Sequence, residues 1–236
     1  MLGIRTTENE IDMDPTFVTA CTALPPEEAN LSGGHSPKNF IYLASRSPRR
    51  SQLLEQMGVR YQLLLPDAGE DAELIELVLG NEPPASYVKR VTALKLAAAL
   101  QRRKSRGLVA APILCSDTTV ALGRTIYGKP ENAADARRML AELSGRTHRV
   151  LTCVVIGTER KQMQILSESH VTFAALDRSQ IQAYVASGEP LGKAGAYAVQ
   201  GRAATFISHI RGSYSGIMGL PVFETAQMLR SLGWKF

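Results

Sequence analysis

The sequence predicts an α/β fold. Short apolar runs of strand type alternate along the chain with stretches of helical period, and serine, asparagine, glycine and proline mark the joints between them. No segment repeats at the fixed period of a solenoid. With 236 residues, 44% hydrophobic and 21% charged, the chain has ordinary globular composition and is long enough to bury a substantial core.

Residues 1–38 lack an apolar period and contain Pro25-Pro26 and Gly33-Gly34. They read as an acidic, disordered or loosely docked extension ahead of one domain over 39–236. The first strand is Phe40–Ala44, followed by Ser45-Arg46-Ser47-Pro48-Arg49-Arg50. There Ser47 suits an N-cap, Pro48 the first helical position, and Gly58 the stop beyond Leu53, Leu54 and Met57. Tyr61–Leu65 is a second strand ending at Pro66, and Tyr87, Val91, Leu94 and Ala98 mark a long helix that closes in the basic tract Arg102–Arg106. Ile113–Cys115 reads as a buried strand that ends in Ser116-Asp117-Thr118-Thr119, before a hairpin punctuated by Gly123 and Gly128. Asn132 caps a helix over Ala133–Leu143, which Ser144-Gly145 closes. The long β-type runs 147–156 and 162–175 suit paired strands. Asp177 opens a helix that Gly188 ends, a glycine-rich stretch leads to a strand near Thr205–Ile210, and Leu220-Pro221 starts the last helix.

The composition narrows the function classes. Three cysteines without a C-x-x-C pair exclude a disulfide framework and a zinc ribbon. No apolar run approaches the ~18 residues of a membrane span. Acidic residues stand where a signal peptide would be basic and apolar, so the expected location is cytoplasmic. The net charge of +5 divides into −4 over residues 1–38 and +9 over the rest, which suits an anionic partner or simply a solvated basic surface.

The chemistry concentrates at a few places. Ser45, Ser47, Arg49 and Arg50 lie between a strand and a helix N-terminus, where free N–H groups and guanidiniums favour a polyphosphate. Arginines there oppose the helix dipole unless an anion offsets them. Asp117, after a buried strand, stands where an open sheet presents ligands, and Glu70 lies in an acidic loop after the second strand. Such carboxylates can hold a divalent cation or activate water, although a solvated loop explains Glu70 as well. Lys95 shares a helical face with Val88, Val91, Thr92 and Ala99, so it either snorkels to solvent or reaches an anion in a cleft. Lys129 is a loop cation set between glycine and proline, and Gln200 follows a glycine-rich loop with an amide able to read a base edge. The histidines show no zinc spacing, and no Walker A loop, G-x-G-x-x-G or G-x-S-x-G is present.

Taken in order, these residues carry a resemblance. Ala44-Ser45-x-Ser47-Pro48-Arg49-Arg50-x-x-Leu53-Leu54 is similar to the opening motif of the Maf family of nucleoside triphosphate pyrophosphatases. The likeness continues through Tyr87-Val88-x-Arg90, Lys95, Asp117-Thr118, Gly128-Lys129-Pro130 and Gly145-x-Thr147-His148. It closes with Lys193-Ala194-Gly195-Ala196-Tyr197-x-x-Gln200-Gly201 and Gly212-Ser213-Tyr214, and spans about residues 40–234.

The resemblance implies a mixed, twisted sheet whose flanking helices form two lobes around a cleft, as in inosine triphosphate pyrophosphatase-like folds. It further implies hydrolysis of a triphosphate to monophosphate and pyrophosphate, a divalent cation (Mg²⁺ or Mn²⁺), a homodimer, and a link to inhibited septation. Asp117 would be the proton acceptor, Glu70 the metal-linked acid beside it, and Arg50, Lys95 and Lys129 polyphosphate contacts. Arg49, Thr118 and Gln200 match the pyrimidine type, acting on dTTP and UTP. The rival expectation is a non-catalytic basic regulator that binds nucleic acid or a division partner. That role needs neither acid, and no aromatic-rich strand for stacking bases is visible, so no specific nucleic-acid binding is expected.

Overall fold

In a computed structural model of the chain, residues 40–67, 70 and 75–236 are described; the extension expected at 1–38 lies outside them. A single mixed sheet runs through the domain in the order β2-β1-β3-β5-β6-β7, with β4 added to β3. Its strands are β1 (Ile41–Leu43), β2 (Tyr61–Leu63), β3 (Ile113–Leu122), β4 (Thr125–Tyr127), β5 (Thr147–Gly157), β6 (Gln162–Phe173) and β7 (Ile207–Arg211). β1 is parallel to β2 and β3, and every other pair is antiparallel. Helix α1 (Pro48–Gln56) joins β1 to β2, α2 (Pro84–Ser105) precedes β3, and α3 (Ala133–Leu143) and α4 (Arg178–Ala186) follow β4 and β6. The chain ends in α5 (Tyr214–Met218) and α6 (Val222–Arg230).

The local signals explain most of these boundaries. Asn132 accepts from the N–H groups of Ala134 and Asp135, and Asp177 with Gln180 forms a complete capping box. Ser47 does sit at the N-cap of α1, but its side chain makes no capping hydrogen bond. Strand β2 stops two residues early, at Leu63, and β7 runs from Ile207 to Arg211 after a 3₁₀ turn over Arg202–Phe206. Leu94, expected on the buried stripe of α2, is 43% exposed; Leu96 is buried instead, and Lys95 holds the intervening position.

The alternation of the three long strands builds the two lobes. One face lies under α2, where Leu96 and Ala99 pack on Ile113, Cys115 and Val155, and Tyr87, Val88 and Val91 on Leu151 and Cys153. The opposite face carries two separate cores. Leu114, Val154 and Ile156 pack under α1 and α6, while Val120, Val150, Val171 and Phe173 pack under α3 and α4. Between those cores the same face bears Ser116 and Thr118 on β3, Thr152 on β5 and Ser167 and Ser169 on β6, aligned by strand register. An apolar–polar–apolar pattern thus crosses the sheet, and its polar band divides the lobes. Among the described residues, no helix is long and apolar enough to cross a membrane.

His148 is 1% exposed in the second core, with Nε2 2.9 Å from the Tyr197 hydroxyl and its ring edge-on to Phe173. Burial pushes its pKa down from 6.5 to about 4. The unfolded chain therefore takes up a proton between those values that the folded chain refuses, so this group's contribution to stability falls as pH falls. Urea unfolding should show about 2 kcal/mol less stability from this group at pH 5 than at pH 7.5. That part of the pH dependence should vanish in His148→Gln; an identical pH slope in the variant would refute the assignment.

Candidate active site

The site begins with a gap in the edge of β3. On that edge β1 pairs with Ile113 and Leu114, and β4 with Val120–Leu122, whereas β5 pairs without interruption from Ile113 to Ala121 on the other edge. The stretch Cys115–Thr119 is flanked on one side by open space, and a cavity of about 720 Å³ fills it. From the sequence, Asp117 reads as following a strand over Ile113–Cys115. It lies instead in the middle of one, opposite Cys153, and reaches the cavity because β1 has already ended. Side chains alternate along β3, so Asp117 faces the α2 side and Ser116 and Thr118 the other, yet all three line the same space.

On the α2 side, Lys95 Nζ donates to Asp117 Oδ1 at 2.5 Å and to Glu76 Oε1 at 2.7 Å. Glu76 Oε2 accepts from Lys129 Nζ at 3.2 Å. Burial alone would lower the Lys95 pKa, but Asp117 and Glu76 outweigh it and hold the ammonium above its usual range. For Glu76, burial is likewise overcome by Lys95 and Lys129, which keep its carboxyl below the ordinary value. The result is two carboxylates meeting at one ammonium.

Glu70, the acid picked out from the sequence, also lines the cavity but is held elsewhere. Arg102 donates to it through Nε at 2.7 Å and through Nη2, and the Asp67 N–H adds a third contact at 3.3 Å. The Arg102 bond is the main cause of a carboxyl pKa lowered to about 2. Both Glu70 oxygens are thus engaged, and the acid that joins Asp117 at Lys95 is Glu76. Five carboxylates crowd residues 67–76 of the sequence, and no period distinguishes them.

The loop into α1 supplies a cationic wall. Ser45 Oγ accepts from the Ser47 N–H at 3.2 Å and from Arg50 Nη1 at 2.9 Å, which leaves its own proton for a ligand. Arg50 Nε donates to the Gly219 carbonyl at 2.8 Å and Nη2 to Thr118 Oγ1 at 3.4 Å. Three of its five N–H groups are thus taken and two remain. Burial lowers its pKa, against the pull of Asp117. Arg49 lines the cavity without a side-chain hydrogen bond to any other described residue. Lys193, passed over in the sequence, also faces the cavity, and its ammonium meets the carbonyls of Glu189 and Leu191 at 2.7 and 3.5 Å. Its place within the Lys193–Gly201 motif was the available signal.

The remaining wall is apolar, formed by Val120, Val150, Tyr197, Val199, Ile217 and Met218, with exposed Gln200 at its rim. Two glycines permit this wall. Gly195 has φ +69°, and a Cβ there would come within 2.9 Å of three Val120 side-chain carbons. Gly219, at φ +116°, turns its carbonyl toward Arg50. All ten residues singled out in the sequence (Ser45, Ser47, Arg49, Arg50, Glu70, Lys95, Asp117, Thr118, Lys129 and Gln200) therefore line one cavity.

The family model described as "Maf-like protein" matches residues 40–232. A protein of Albidiferax ferrireducens named dTTP/UTP pyrophosphatase is 74% identical over 196 residues, covering 83% of this chain and 98% of its own. Proteins of the same name from a Polaromonas species and Cupriavidus metallidurans are 66% and 62% identical, over 84% of this chain and 98% and 99% of theirs. Among solved structures, the Staphylococcus aureus Ham1 protein aligns with 81% of this chain and 97% of its own, at 12% identity and a TM-score of 0.41.

Proposed function

The chain belongs to the Maf-like protein family, and from that premise we propose that it hydrolyses dTTP and UTP to the nucleoside monophosphate and pyrophosphate. One observation carries this reading. A single cavity joins the Asp117–Lys95–Glu76 cluster to a cationic wall on one side and an apolar wall ending in Gln200 on the other. The names of the relatives point the same way.

In this mechanism Arg49, Lys129, Lys193, the two spare N–H groups of Arg50 and the Ser45 hydroxyl hold the triphosphate. Lys95 keeps Asp117 in place through their hydrogen bond. A water bound at Asp117 loses its proton to the carboxylate as it attacks the α-phosphorus, in line with the departing pyrophosphate. The apolar wall excludes solvent from the base, and the Gln200 amide donates to O4 and accepts from N3–H of uracil or thymine.

The donor set also fits a divalent cation. Asp117 and Glu76 are hard oxygen donors gathered at one point, and the described residues contain no group of three or more His, Cys, Asp or Glu able to hold a metal. Two protein carboxylates, completed by phosphate oxygens and water, are the usual holding for Mg²⁺ or Mn²⁺. When bound, the cation would neutralise charge on the phosphate oxygens.

A nucleotide panel with Mg²⁺ or Mn²⁺ tests the reading. dTTP and UTP should release pyrophosphate, not phosphate, about ten- to a hundredfold faster than purine triphosphates; equal rates with GTP and UTP would defeat the base assignment. Asp117→Asn should cost about a hundredfold or more in turnover in a folded protein. Glu76→Gln should cost at least about tenfold, whereas Glu70→Gln should chiefly lower thermal stability. A larger turnover loss in Glu70→Gln would restore that residue to the central role. We also propose that residues 39–236 form the complete catalytic unit, consistent with a family match starting at residue 40. A chain starting at Asn39 should keep both turnover and melting temperature, and loss of either would assign residues 1–38 a part.

A further inference from the structure

The polar band between the two cores does more than divide them, because its hydrogen bonds have a direction. Thr152 is 1% exposed, and its hydroxyl donates to the Gly216 carbonyl at 2.7 Å. A carbonyl can only accept, so the single proton of Thr152 is committed there. The Thr118 hydroxyl, 3.0 Å from Thr152 Oγ1, must then be the donor of that pair. Thr118 is left with lone pairs only, and one of them faces Arg50 Nη2 at 3.4 Å. Arg50 in turn reaches the Gly219 carbonyl, which also accepts from Ser116 Oγ at 2.8 Å.

We infer that Thr152 is a positioning residue of the site: through this one-way chain it fixes Thr118 and Arg50 against the wall segment Gly216–Gly219. The inference rests on the proposed nucleotide hydrolysis and deepens it. Thr118 lines the cavity without a proton to give, so it acts on the nucleotide through the arginine it orients and through its own methyl and lone pair. Ile217 and Met218, which face the ligand space, are carried on the segment that Thr152 and Ser116 hold by its carbonyls. Without the Thr152 hydroxyl, the Gly216 carbonyl keeps only the Gly219 N–H as donor, and the Thr118 proton is released to turn toward Arg50, where it opposes the guanidinium.

The test is a comparison of wild type, Thr152→Val, Thr152→Ser, Thr118→Val and the double variant Thr118→Val/Thr152→Val. Steady-state kinetics with dTTP and UTP would be normalised to folded protein by circular dichroism. Thr152→Val should raise KM about tenfold while kcat changes by less than about threefold, the scale of one lost hydrogen bond in binding. Thr152→Ser, which keeps the donor, should restore KM to within about twofold. The double variant should be no worse than Thr118→Val alone, because the two residues act in series. A purely structural role would lower the melting temperature and leave KM of the folded fraction unchanged. Should Thr152→Val fail to fold, Thr152→Cys, whose thiol donates weakly, takes its place and must move KM the same way. A folded Thr152 variant lacking a strong donor with wild-type KM, or a serine variant that does not recover, overturns the inference. A wild-type chain that releases no pyrophosphate overturns the functional reading instead, and this inference with it.

Discussion

The interrupted edge of β3 is the constraint on which the site depends. A strand paired on both edges throughout would leave the backbone around Asp117 no open edge onto a cavity. Here β1 is three residues long and β4 joins only at Val120, so the intervening stretch borders a cavity from both sides of the sheet. Neighbouring residues that strand geometry sends in opposite directions, Asp117 and Thr118, consequently serve one ligand space. The unbroken pairing with β5 keeps that stretch rigid while its other edge stays open.

Two kinds of polar organisation meet at this gap. On the α2 side the order is electrostatic: Lys95 bridges Asp117 and Glu76, and without it the two acids would face each other in a poorly solvated place. The cost of placing a lysine on the buried stripe of a helix is offset by those partners, which is why Leu94 rather than Lys95 turns to solvent. On the other side the order is one of neutral hydroxyls holding backbone carbonyls, with Ser169 bonded to Ser213 at the far end of the same segment. Neutral bonds of this type are little affected by salt, although the Gly219 carbonyl of this wall is also held by the charged Arg50.

Much of this was legible in the sequence, for identifiable reasons. Capping residues, the period-2 runs of β5 and β6 and the motif order located the elements and gathered ten residues that share one cavity. What the sequence left open has a common source, since each point depended on a partner distant in the chain. Lys95 fills its place on α2 because Asp117 meets it there. That Glu76 rather than Glu70 meets Lys95 follows from Arg102 engaging Glu70, which no local pattern shows. Asp117 looked like a strand terminus because Ser116-Asp117-Thr118-Thr119 is polar, although polar residues continue a strand well when a cleft or a hydroxyl row receives them. The recurring apolar–polar–apolar order in Leu114–Val120, Val150–Val154 and Ile165–Val171 was visible in one dimension, but the register that aligns it was not.

The contact between Gly195 and Val120 bears on how this cavity can be inherited and altered. The missing side chain at one position is filled by the neighbour's methyl groups, so the two sites form a lock that single substitutions jam in one direction. Any side chain at 195 meets valine at 120 and a disfavoured backbone angle together, whereas trimming Val120 merely hollows the wall. Descendants of this chain could thus enlarge the ligand space by one mutational step but could shrink it at this point only through coordinated changes.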